Sequence, residues 1–141
     1  MGAFISTHVV AQSEAQWPTK PVRFICPFPP GGSVDPLARL TGARLNATLG
    51  QQFVVDNRTG GSGSIGTALA AKSPPDGYTF LIVFDTHGVN PSLIPNLSYD
   101  TQKDLANVML VGTAPMVLTT NPGKPFKSFA DVVSEIGRAH V

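Results

Sequence analysis

Three short stretches carry residue types that can hold a small anion. The first, Pro29-Pro30-Gly31-Gly32-Ser33-Val34-Asp35, sets two prolines, two glycines, a hydroxyl and a carboxylate directly ahead of a helical pattern. Prolines stiffen such a turn and glycines bare it, so its backbone NH groups can approach a ligand closely. The second, Gly60 to Gly66 (GGSGSIG), repeats the device with Gly61, Gly63 and Ser64. Each loop opens into a helix, where unpartnered NH groups and about half a positive charge from the helix dipole attract carboxylate or phosphate. The third, Asp85-Thr86-His87, offers a hydroxyl in Thr86, and Asn90-Pro91 begins a turn that would fix that loop. The expected ligand-binding set is therefore Pro30, Gly31, Gly32, Ser33, Asp35, Gly61, Gly63, Ser64, Thr86 and His87.

Two members of that set need separate readings. A carboxylate beside an anion site would repel its ligand, so Asp35 is expected to accept NH groups of its own loop, or else to meet a ligand amino group. His87 has no serine or cysteine nucleophile that the sequence pairs with it, so it is expected to be a solvated loop residue rather than a general base. His8 and His140 lie near the two ends, and no metal cluster is expected. Cys26 is the single cysteine, which excludes an internal disulfide and suits a small buried hydrophobe. No catalytic residue and no cofactor is expected.

The sharpest rival is an enzyme. Gly61-Ser62-Gly63-Ser64-Ile65-Gly66 is a literal G-x-G-x-x-G after a strand pattern, and Asp85 follows about twenty residues later, where an acid binding the NAD ribose would stand. Against a dinucleotide-binding oxidoreductase, Asn57 to Gly60 intervene between strand and turn, and Pro74-Pro75 soon break the following helix.

These loops need elements to hold them. VRFIC reads as a strand, and SVDPLARLTGARLNATLG as a helix with Ser33 as N-cap, Gly50 just past its end, and Leu37, Leu40, Leu45 and Leu49 on its apolar face. QFVVDN reads as a second strand and IGTALAAK as a short helix. Thr79 to Phe84 (TFLIVF) reads as a third strand, buried on both faces. Ser128 to Asp131 has capping-box spacing and predicts a helix through Val132 and Val133, cut off at EIGRAHV. Alternation of strand and helix makes the class α/β, with ligands expected where the loops following the strands converge.

Bulk properties agree with a folded unit of this kind. The 141 residues are 42% hydrophobic but only 13% charged, about half the usual charged share, while Gly (14) and Pro (13) are abundant without a period. A net charge of +1 with scattered Lys and Arg argues against nucleic acid or an anionic membrane as partner. No apolar run approaches the 18 or so residues that span a bilayer.

The stretches WPTKPVR, PFPPGGSVD, LGQQFVVDNRTGGSGSIG, AKSPPDGYTFL, DTHGVNPSL, the YD..KDL step from Tyr99 to Leu105, and SFADVV occur in one order. Together they resemble the solute-binding proteins of tripartite tricarboxylate transporters, the Bug family of periplasmic receptors. Cys26 in the first strand and Thr59-Gly60 in the second loop depart from the family pattern. The resemblance implies a two-lobed receptor of the periplasmic-binding-protein type II kind, which closes on a small organic anion and delivers it to membrane transporter subunits without chemistry. It implies that Gly31, Gly32, Ser33, Gly63, Ser64 and Thr86 line the cleft. It leaves open a dicarboxylate, tricarboxylate, aromatic acid or amino acid as ligand.

The two ends of the chain and the same resemblance together set expectations for organisation. Residues 1–16 are expected to be the remnant of a secretory signal lacking its basic front, 17–111 the first lobe, and 112–133 the crossover into a second lobe. Residues 134–141 are expected to be a non-native tail, since EIGRAHV matches a translated sequencing adapter. A truncated first lobe of this kind is expected to bind poorly by itself.

Overall fold

The computed structural model describes residues 17–115 and 117–136, which divide into one unit ending at Met109 and another beginning at Leu110. In the first unit the order is β1 (Val22–Cys26), α1 (Val34–Leu49), β2 (Phe53–Asn57), a 3-10 turn (Gly61–Gly63), α2 (Ser64–Ala71), β3 (Thr79–Leu81) and α3 (Thr86–Leu93). The three strands form a parallel sheet in the order β2-β1-β3. Parallel neighbours need a crossover between them, which α1 and α2 supply. This is the α/β architecture that the alternation predicts.

β1 is the middle strand and therefore the driest, with Val22, Ile25 and Cys26 fully buried. Each strand adds one ring to an aromatic row, with Phe24 centred 5.3 Å from Phe53 and 6.0 Å from Phe80 in edge-on geometry. Trp17 joins the row edge-on to Phe53 and Phe80, and its indole NH donates to the Gly77 carbonyl at 3.2 Å.

Two sequence expectations change here. The face that α1 buries is not leucine but Val34, Ala38 and Gly42, four residues apart, while Leu37 and Leu40 are 42% and 70% exposed. The reason is distance. A β-carbon on Gly42 would lie 3.3 Å from Phe53 Cβ, so α1 comes too close to the sheet there for a larger side chain, while Leu37 and Leu40 stand outside. The third strand is also shorter than TFLIVF. Its ladder ends with the Ile82 NH on the Ile25 carbonyl at 2.9 Å, and its residues are half-buried because, among the described residues, only β1 pairs with it.

Gly50 does end α1 as expected, with φ +70° and its NH on the Asn46 carbonyl. In the second unit α4 spans Phe129–Ile136, entering the stretch where a break is expected. Its capping box is reciprocal: the Asp131 NH donates to Ser128 Oγ at 3.2 Å, and the Ser128 NH donates to Asp131 Oδ2 at 2.8 Å. Among the described residues no helix is long and apolar enough to cross a membrane, and no group of three or more His, Cys, Asp and Glu could hold a metal ion.

Candidate functional site

Parallel strands send all three connecting loops to the same edge of the sheet, and here side chains tie those loops together. Phe28, just after β1, would touch a β-carbon on Gly63 at 3.3 Å, and its ring centre lies 5.1 Å from that of Phe84, just after β3. The Asn90 side chain, in α3, donates to the Ser62 carbonyl at 3.0 Å. The Asn57 amide, at the end of β2, donates to the Phe28 carbonyl at 3.0 Å. Thus the three loops form one connected mouth.

Within the first loop, Asp35 adopts the structural role. It is 4% exposed; its Oδ2 accepts the Gly31 NH and Arg39 Nε, both at 3.0 Å, and its Oδ1 accepts Asn57 Nδ2 at 3.0 Å. The Arg39 guanidinium, with help from the Gly31 and Asn57 donors, holds the carboxyl down at about 2. An ionised carboxylate sits at the positive end of α1, its oxygens already engaged by the loop.

The two glycines shape this loop rather than simply baring it. Gly31 has φ +78°, which L side chains rarely adopt, and its NH is spent on Asp35. The Gly32 NH reaches the Pro29 carbonyl at 3.2 Å, closing the turn. Both NH groups are therefore engaged within the turn itself. Pro30 and Ser33 are exposed beside it. Ser33 stands at the N-cap position, yet its side chain caps nothing, so its hydroxyl and the first NH groups of α1 remain at the mouth.

The second loop is a left-handed turn fixed from below. Gly61, Ser62 and Gly63 all have positive φ, and Thr67, 1% exposed, donates its hydroxyl to the Gly63 carbonyl at 2.8 Å. Ser64 starts α2, and its hydroxyl crowds Gly61, where a β-carbon would lie 2.5 Å away. In the third loop Thr86 is exposed at the start of α3. His87 is not the solvated residue expected. It is half-buried and stacked on Tyr99 at 6.3 Å and 9° between planes, Nδ1 has no hydrogen-bond partner among the described residues, and burial pushes its pKa down.

The structure therefore brings together loops carrying every expected site residue. It adds Phe28, Phe84, Arg39 and Asn57, which no sequence pattern had marked, and gives Asn90, expected only to begin a turn, a bond to the second loop. Asn57 had one available signal: a polar residue closing an apolar strand at a ligand-facing edge. Two surface depressions border these residues: one of about 360 Å³ between α1 and β2, lined in part by Arg39, and one of about 330 Å³ between α2 and residues 94–99, lined in part by Ser64.

The dinucleotide reading fails on topology. A ribose-binding acid belongs on the strand next to the one that carries the glycine turn. Here the turn follows β2 and Asp85 follows β3, with β1 between them, a separation of about 10 Å at ordinary strand spacing.

Comparison with known proteins agrees with this fold. Residues 37–139 match the model of the tripartite tricarboxylate transporter family receptor, TctC, and the chain belongs to that family. This is a family of receptors, not of enzymes. The match runs into the stretch 134–141 that the sequence reading takes as non-native. Protein BugT of Bordetella pertussis is 41% identical over 96% of this chain and 43% of its own length. Among solved structures, Rpa4515 of R. palustris with adipate is 39% identical with a TM-score of 0.73, covering 86% of this chain and 41% of that one. The periplasmic binding protein BugD is 36% identical with a TM-score of 0.60, covering 62% of this chain and 29% of that one. The chain spans about two-fifths of the length of the curated relatives it matches. Relatives of this kind are periplasmic binding proteins.

Proposed function

We propose that the protein carrying this chain is an extracytoplasmic solute receptor. It captures a small organic carboxylate at the mouth formed by the three loops and delivers it to a tripartite transporter in the membrane. The observation that carries this reading is the packing of Phe28 against Gly63 and Phe84, which joins the loops to which Ser33, Ser64 and Thr86 belong. Hydroxyls and helix-start NH groups are the donors that a carboxylate needs, and no neighbouring Lys or Arg is required for them to work. Arg39, the nearest cation to the first loop, is committed to Asp35.

A dicarboxylate is the favoured ligand class, because the related Rpa4515 was solved with adipate. One carboxylate would take the donors of this mouth, and the other would be held elsewhere. The periplasm is the proposed compartment, supported by BugD and by the apolar stretch that precedes Trp17.

The test is a thermal-shift series on the protein expressed from its complete reading frame, with adipate, citrate, benzoate and aspartate against NAD and neutral sugars. A carboxylate at 100 times its Kd should add about 2.7 kcal/mol of stability. Gly32→Val should weaken the response, because its β-carbon would lie 3.2 Å from the Pro29 carbonyl and force the turn to shift. A response to NAD alone would overturn the reading.

A further inference from the structure

Asn57 closes β2, and all three of its polar groups are engaged. One amide hydrogen goes to the Phe28 carbonyl and the other to Asp35 Oδ1, both at 3.0 Å, while Oδ1 accepts Arg39 Nη2 at 3.2 Å. The flipped amide would set an oxygen against two oxygens, so only this orientation fits. Asp35 in turn holds the Gly31 NH. A single side chain thus connects the second strand, the backbone leaving the first strand, and the carboxylate that shapes the glycine turn.

We propose that Asn57 is a positioning residue for the Pro29–Asp35 loop, acting through Asp35 and the Phe28 carbonyl to hold the turn in its ligand-ready shape. Its bearing on ligand rests on the receptor reading above; its bearing on the loop does not. The amide is needed because the site demands two donors and one acceptor at one point. Aspartate, of the same shape, offers acceptors only when ionised, and serine is too short to span the gap. The titratable and charged groups around it are Asp35, Arg39 and the Cys26 thiol.

Asn57→Asp is the informative variant. It sets a second carboxylate against Asp35, where the pair must share a proton, so one of the two should titrate well above the ordinary range. At pH 8 the amide-exchange protection of Gly31 should collapse in the ligand-free protein. Adipate affinity should fall by at least about tenfold, the scale of one lost buried donor. Both should recover as the pH is lowered towards 5, where the shared proton restores a donor; unsubstituted protein should show no such recovery. Asn57→Ala removes both donors without adding a charge, and in it Gly31 protection should be lost at pH 8 and at pH 5 alike.

Full Gly31 protection in Asn57→Asp at pH 8 would overturn the proposal. If that variant fails to fold, Asn57→Ala decides alone, and full Gly31 protection in it would also overturn the proposal. Loss of Gly31 protection as expected, in a protein that binds no carboxylate even when unsubstituted, would sink the receptor reading and leave the positioning role standing.

Discussion

Gly66 lies against Pro27 so tightly that a β-carbon on the glycine would stand 2.7 Å from Pro27 Cβ and 2.6 Å from the Arg58 carbonyl oxygen. Neither neighbour is the free end of a flexible side chain, so neither can swing aside. Alanine would gain up to about 1 kcal/mol of helix propensity but lose more to overpacking, typically 1–3 kcal/mol. Gly66→Ala should therefore lower stability by about 1–2 kcal/mol in urea denaturation. Gly88→Ala is the contrast: nothing lies within 4 Å of its β-carbon, so the propensity gain should appear as a rise of up to about 1 kcal/mol. Equal effects from the two would contradict the packing described.

The Asp35 carboxyl is held at about 2, below the 3.8 of an unperturbed aspartate. A carboxyl with a depressed folded pKa stabilises in full above its unfolded value, and that contribution is lost as pH falls from about 3.8 through about 2. The amide resonance of Gly31, which donates to this carboxylate, should move with a midpoint near 2. A midpoint near 4 would mean that the Arg39 and Asn57 contacts do not persist in solution.

Burial lowers the His87 pKa below its usual 6.5. The unfolded chain then takes up a proton that the folded one resists, so the histidine's contribution is whole above pH 6.5 and shrinks as pH falls below it. His87→Phe keeps a ring against Tyr99 and removes the unpartnered Nδ1. It should flatten the decline in Tm between pH 6.5 and 5; an unchanged slope would show that the decline has another source.

Cys26 is fully buried at the end of β1, and burial pushes its thiol pKa up despite the contact with the Phe28 carbonyl. A buried neutral thiol is a poor nucleophile. Aromatic disulfide reagent should label it only as fast as the protein opens, with full labelling in denaturant. Rapid labelling of the native protein would contradict this packing.

How much of this was legible beforehand follows from the range over which each interaction acts. The strand and helix alternation, Gly50 at φ +70°, and the capping box of Ser128 and Asp131 depend on residues a few positions apart, and the sequence alone determined them. The glycine and serine loops were legible for the same reason, since their composition is local. Only tertiary structure decided that Gly42 rather than the leucines meets the sheet, because helix periodicity locates an apolar stripe but not how near the neighbour comes. Only tertiary structure joined Asn57 to Asp35, 22 residues earlier, and placed Phe28 against Gly63 and Phe84. The order β2-β1-β3 was equally hidden, and it separates Asp85 from the glycine turn that a one-dimensional spacing had aligned with it. Sequence spacing measures distance along the chain, whereas the chemistry of the mouth depends on which strand lies beside which.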